Sequence, residues 1–244
     1  MHIDDIGYVL LDTETTGLNP REHATIELGA KILTPDLELH PDAEPFLTLI
    51  KPIAHPVRKE APVAPLINPR AIEINGHNWV YTPVCERYRS ALSPLMAWMK
   101  FNEWLRRNFE IKNNKRVVAV GWNTNFDMQF IKRLFRGHYL STSHGHGEWT
   151  DDSNFEVLDE EDERSLRWPF HYHPLDLMAV SRYLDIRNGT KRPGYSLERL
   201  ASSLFPGAAD LAMHTAMGDA DMSLRVVRSI EEDYRAVHRR PIAD

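Results

Sequence analysis

The segment Val9-Leu10-Leu11-Asp12-Thr13-Glu14-Thr15-Thr16-Gly17-Leu18-Asn19-Pro20 limits what this chain can fold into more than any other, because it runs an apolar strand directly into two carboxylates and then a turn. Val9 to Leu11 read as a buried strand, and side chains two apart on a strand share a face, so Asp12 and Glu14 project together. Two neighbouring carboxylates repel, and removing them from water is costly without a compensating cation. The simplest physical reading is a divalent metal held by hard oxygen ligands at a strand end.

The rest of the chain can support such a site. Its 244 residues are enough for a full core, and 42% hydrophobic with 26% charged residues is an ordinary globular composition. A single domain spanning 1–244 is the expectation. No apolar stretch reaches the length of a membrane span, and Met1-His2-Ile3-Asp4-Asp5 lacks the basic and apolar parts of a signal peptide. The lone Cys85 excludes an internal disulfide and a cysteine-based zinc site. A cytoplasmic protein with no membrane partner is expected.

The formal charge of -6 is unevenly distributed. Residues 148–164 hold nine acids against Arg164, which leaves the remainder of the chain slightly basic. An enzyme that grips only a short nucleic-acid end needs a local positive funnel, not a high global charge, so net charge does not exclude that class.

Residues 6–14, 24–33 and 45–51 read as three strands in an antiparallel meander. The proline-rich stretch 52–70 reads as an irregular crossing. A helix follows from Ser93 to Phe109, with Leu95, Met96, Met99 and Leu105 at helical spacing. Val117-Val118-Ala119-Val120 is then a fully buried strand that leads into Trp122-Asn123-Thr124-Asn125-Phe126-Asp127. Phe126 to Phe135 is an amphipathic helix with Asp127 in its first turn. Residues 137–169 lack apolar periodicity and are expected to be an inserted acidic, histidine-containing loop. Helices are expected at 175–184, 196–204 and 215–236, the second capped by Ser196. Strands first, then a strand flanked by helices, give an α/β or α+β fold with a mixed sheet.

Two further sites join the opening pair. Asp127 stands where a buried strand passes into a helix. His214-Thr215-Ala216-Met217-Gly218-Asp219-Ala220 adds a histidine and a fourth acid near the start of the last helix. Five residues apart, His214 and Asp219 cannot share a helical face, so His214 belongs to the preceding loop while Asp219 projects from the helix. His138, His144, His146, His171 and His173 show no zinc-ligand spacing and read as solvated histidines.

These motifs resemble those of the DnaQ-like, or DEDDh, 3'-5' exonucleases of the ribonuclease H-like superfamily. The likeness runs from Leu10 to about Ile230, with Asp12-x-Glu14, Asn123-x-x-Phe126-Asp127 and His214-x-Ala216-x-x-Asp219 in the family's order. Thr215 stands where a sister subclass has tyrosine, which selects the histidine version. The resemblance implies a ribonuclease H-like mixed sheet of about five strands, two Mg2+ or Mn2+ ions, and single-stranded DNA or RNA 3' ends as substrate. By it, Asp12, Glu14 and Asp219 hold one ion, Asp12 and Asp127 serve the second, and His214 is the general base. It also implies that Thr15, Thr16, Gly17 and Leu18 seat the terminal nucleotide, with Ile74 and Asn75 opposite and Asn123 as a further substrate contact, while Trp122 reads either as a base-stacking substrate contact or as a packed strand-end aromatic. Ser196 to Leu200 matches the family's pre-terminal helix. Trp122 and Asn75 both replace frequent family histidines. The alternative class is a catalytically silent module that grips nucleic-acid ends or a polymerase on the same fold; a polymerase or a second copy of the chain is compatible with either class.

Overall fold

A computed structural model describes residues 7–53, 64–109, 117–143, 168–207 and 214–238. Strands β1 (Gly7–Thr15), β2 (Thr25–Leu33) and β3 (Phe46–Leu49) form the expected antiparallel meander. Helix α1 (Pro69–Asn75), a short 3-10 helix (Asn78–Tyr81), α2 (Glu86–Ser90) and α3 (Pro94–Asn108) follow. Strand β4 (Val117–Gly121) then pairs parallel to β1, and helix α4 (Thr124–Ser143) leaves from its end. The two-residue β5 (Leu175–Asp176), α5 (Leu177–Asn188), α6 (Leu197–Leu204) and α7 (Ala216–His238) complete the described chain. The sheet order is β3-β2-β1-β4-β5, a mixed five-stranded sheet flanked by helices.

The two-residue period of β1 and β2 separates the sheet into two apolar faces. Val9, Leu11, Leu28, Ala30 and Ile32 pack with Trp98, Phe101, Ile131 and Leu134 of α3 and α4. Leu10, Leu33 and Val120 pack with residues of the last three helices, including Leu177, Leu200, Ala220 and Val226. A smaller cluster of Ile26, Ile72, Trp79 and Val80 fixes α1 and the 3-10 turn at the end of β2. No helix among the described residues is long and apolar enough to cross a membrane.

Several boundaries differ from expectation. Helix α3 buries Pro94, Ala97, Trp98, Phe101 and Leu105, while Met96 and Met99 are exposed. The sequence carries two apolar stripes on this helix, and the sheet takes the one with the larger aromatic area. Helix α4 continues to Ser143, so 137–143 are helical, not loop; one internal glycine costs about 1 kcal/mol and does not end an established helix. The remainder of the expected acidic loop, 144–167, lies outside the described residues. Leu175 and Asp176 were expected in a helix, but they pair with Val120 and Gly121, and Asp176 caps α5 by accepting from the Met178 and Ala179 amides.

Candidate metal centre

Strand β1 delivers Asp12 and Glu14 to the face that α7 covers. Their cross-strand neighbours on β2 are Gly29 and Glu27. Gly29 permits the approach of α7: a Cβ there would meet Ala216 C and Met217 N at 3.0 Å. The first turn of α7 is therefore pressed onto the sheet beside the two acids. The turn is closed by Thr215, whose hydroxyl accepts from the Gly218 amide at 3.1 Å and whose carbonyl accepts from the Asp219 amide at 2.9 Å. Asp219 Oδ1 in turn accepts from the His214 amide at 3.1 Å. His214 stands just before the helix in a left-handed conformation, φ 70, which is uncommon for a side-chain-bearing residue and is kept where surrounding contacts enforce it.

One oxygen from each of Asp12, Glu14 and Asp219 lies within 4.8 Å of the others. Among the described residues this is the group of acids and histidines that could hold a metal ion. Asp127 arrives from the opposite layer. Thr124 anchors the start of α4 by donating to the carbonyls of Gly121 and Leu175, and Asp127 Oδ1 accepts from the Thr13 amide and hydroxyl at 3.0 and 2.8 Å. Thr13 points away from Asp12 and Glu14, so these bonds draw the α4 carboxylate to the end of β1.

The electrostatics follow from this crowding. Burial, then the charges of Asp127, Asp219 and Glu14, push Asp12 well above the usual carboxylate range. Burial and the charge of Asp219 push Glu14 up to about 8. Asp127 is pushed up by burial to about 7 despite the bonds from Thr13, and Asp219 is raised by burial against the opposing effect of His214. Asp12, Glu14 and Asp219, crowded together and resisting ionisation, form a donor set suited to hard divalent cations, and Asp127, held by Thr13, stands outside that group of three.

The remaining expected site residues fall into two groups. Leu18 is 79% exposed and Ile74 47% exposed, beside the buried Thr15 and Thr16. Thr15 donates to the Gly17 carbonyl and Thr16 to the Leu66 carbonyl, so these hydroxyls hold the turn. A Cβ on Gly17 would fall within 2.1 Å of the His23 ring. Asn75 is buried; its amide donates to the Thr15 carbonyl, its oxygen accepts from the His77 amide, and its side chain opposes the upward push on Glu14. On the other side, a cleft of about 500 Å³ is lined by Asp12, Asp219, Trp122, Asn123, Met178, Tyr195, Ser196 and Leu197. Trp122 packs in the core, donates to the Tyr195 carbonyl at 3.0 Å, and borders the cleft. Asn123 is exposed in a left-handed turn. Met178 and Tyr195 were not foreseen; the Ser196 cap was the one sequence signal near them.

The five-stranded mixed sheet, with antiparallel β1 to β3, parallel β4 and β5 and acids at the end of β1, has the ribonuclease H-like fold. In fold the chain matches Escherichia coli exonuclease I bound to a dT13 oligonucleotide, with a TM-score of 0.60 at 16% identity, covering 96% of this chain and 44% of that one. In sequence it is 28% identical over 135 residues to the 3'-5' DNA exonuclease Cap18 of Escherichia coli, covering 55% of this chain and 60% of that protein. It is 30% identical over 125 residues to ribonuclease T of Haemophilus influenzae, covering 50% and 48%. The chain thus spans between about half and three fifths of these relatives' length. No protein-family model matches it. The likeness to DnaQ-like exonucleases read from the motifs is met again in sequence relatives and in fold.

Proposed function

We propose that this protein is a metal-dependent 3'-5' exonuclease that shortens single-stranded nucleic acid and releases nucleoside 5'-monophosphates. The observation that carries the proposal is the convergence of Asp12, Glu14 and Asp219 within 4.8 Å, with His214 on the turn that leads into the same helix. The donor set fits Mg2+ or Mn2+: the carboxylates are hard ligands whose mutual repulsion a divalent cation relieves. Asp12, Glu14 and Asp219 would hold one ion and Asp12 with Asp127 a second, supplying positive charge to the scissile phosphate and to the attacking and leaving oxygens.

The chain's own groups do the rest. His214 takes the proton from the attacking water, a role suited to an imidazole near neutral pH. Attack at phosphorus breaks the bond to the 3'-oxygen of the preceding nucleotide, which leaves as the new 3' end. Leu18 and Ile74, both exposed beside the acids, flank the terminal base, and the Thr15 to Gly17 turn holds Leu18 in place. The cleft bordered by Trp122, Asn123 and Tyr195 receives the strand upstream of the scissile bond.

DNA is the first substrate to test, because one relative is named a DNA exonuclease and the fold neighbour holds an oligodeoxynucleotide, although the other relative is named a ribonuclease. Matched 5'-labelled single-stranded DNA, single-stranded RNA, duplex and dinucleotide substrates with Mg2+ or Mn2+ make the measurement. Stepwise shortening from the 3' end, lost on chelation and in Asp12→Ala, is expected. Failure of the wild-type protein to shorten any of them with either metal would overturn the proposal.

A further inference from the structure

Beneath the metal centre lies a buried polar chain whose members come from four separate segments. Glu27 of β2 is 4% exposed, His77 1% and Trp79 6%. Trp79 Nε1 donates to His77 Nδ1 at 2.7 Å. An indole N–H can only donate, so Nδ1 must accept and the imidazole proton resides on Nε2. His77 Nε2 therefore donates to Glu27 Oε2, 3.1 Å away. The same oxygen accepts the amide of Ala216 at 3.2 Å. Ala216 is the first residue of α7, so Glu27 satisfies an N–H that the helix cannot, and its charge sits at the favourable end of the helix dipole. On the other side the His77 amide donates to Asn75, which donates to the carbonyl of Thr15, the residue after Glu14.

We propose that Glu27 is a positioning residue: its carboxylate is the tie that fixes the start of α7, with His214 and Asp219, against the Ile74–Asn75 wall and the end of β1. This rests on the nuclease proposal above and adds to it a residue that touches neither metal nor substrate. A buried carboxylate in the middle of a strand is expensive, and here both N–H groups converge on one of its oxygens. Removing the tie leaves two donors unpaired and frees the turn whose left-handed His214 must be held in place. Displacements of about 1 Å in such a turn cost on the order of a hundredfold in rate.

Reach and charge are separable by two conservative variants. Glu27→Gln keeps an oxygen at the same distance able to accept from both N–H groups, while Glu27→Asp keeps the charge and loses one methylene of reach. The full chain is assayed for kcat and KM on a 5'-labelled oligonucleotide, for Mn2+ affinity by calorimetry, for melting temperature, and for amide exchange at Ala216. A tie predicts that Glu27→Gln stays within about threefold of wild-type kcat with Ala216 protected, whereas Glu27→Asp loses about tenfold or more in kcat and weakens Mn2+ binding, with Ala216 exchanging faster and KM little changed. The reverse order, with Glu27→Gln impaired and Glu27→Asp active, would overturn the tie in favour of charge. Equal melting losses with kcat unchanged in both would overturn it in favour of plain stability. If the variants do not fold, His77→Phe cuts the chain from the other side and is expected to expose Ala216 to exchange; continued protection there would also overturn the tie. Wild-type protein that cuts nothing defeats the nuclease proposal but leaves the Ala216 exchange and Mn2+ measurements to judge the tie.

Discussion

Carboxylates occur at two places along the seam between β2 and α7, and they are accommodated in opposite ways. Near the outer end Asp221 receives both bonds of Lys31, at 2.6 and 2.8 Å, so a helix acid is matched by a strand base. Two residues earlier on the same helix, Asp219 meets Asp12 and Glu14, and the charges that bear most on Asp12 are those of other acids. The fold can place a lysine on this seam and does so at Lys31. At the inner end it places Gly29 and Glu27 instead, which bring the helix closer and add a further negative charge. One pairing is matched within the fold; the other gathers acids that, in the proposed function, a cation from outside completes.

The largest test of this contrast removes a charge from the inner end. Asp12→Asn is expected to lower the exonuclease rate by at least about a thousandfold, since it strips a ligand shared by both proposed ions. The same change is expected to raise the stability of the metal-free protein by about 1 kcal/mol, because the fold no longer has to hold a buried acid against its preferred ionised form. Single-turnover cutting and chelated thermal melts measure the two. Loss of stability alongside loss of activity would break the contrast, because the inner acids would then be structural like Asp221.

His214 separates chemistry from charge within that inner end. His214→Ala is expected to lower kcat by about a hundredfold with Mn2+ affinity largely kept, as befits a proton acceptor that is not a ligand. A calorimetric Mn2+ titration of the variant beside its kcat checks this. Lost metal binding would move His214 into the ligand set.

Sequence alone made much of this centre legible, because the motif residues announce themselves by type: acids at the end of an apolar strand and at helix starts have few other uses in combination. The meander, the buried fourth strand and the last helices followed from periodicity. What stayed hidden depends on topology. Glu27 interrupts an apolar strand, and its partners His77 and Ala216 lie 50 and 189 residues away, so no local pattern links them. The face of α3 was misread because two apolar stripes compete on it and packing area decides between them. Asp127 was found by its place at a helix start, but the grip of Thr13 that draws it to β1 comes from the opposite side of the strand.

Acidity gives a gentler test. In the metal-free fold Glu14 is pushed up from 4.5 to about 8 and Asp127 from 3.8 to about 7. Between those limits the folded chain holds protons that the unfolded chain has released, so stability falls as pH rises through the window. Metal-free protein is therefore expected to melt lower at pH 8 than at pH 5.5. Mg2+ or Mn2+ is expected to raise the melting temperature more at pH 8, where the ligands are free of protons. Equal metal shifts at the two pH values would show that the acids do not compete with protons for the ion.

The outer pair should give the smallest effect and the clearest control. Lys31→Met leaves Asp221, whose side chain is 42% exposed, able to recover part of its hydration, so a loss of about 1 kcal/mol is expected instead of the larger penalty of stranding a fully buried charge. Cutting at saturating Mn2+ should stay within about twofold of wild type, since packing of α7 on Gly29 and the Glu27 bond still seat the helix start. Added Mn2+ should not restore the lost stability selectively, because Asp221 lies outside the inner cluster. If Lys31→Met instead cut kcat as deeply as His214→Ala, the two ends of the seam would be mechanically one unit, and the position of Asp219 would depend on a surface ion pair two residues along the helix.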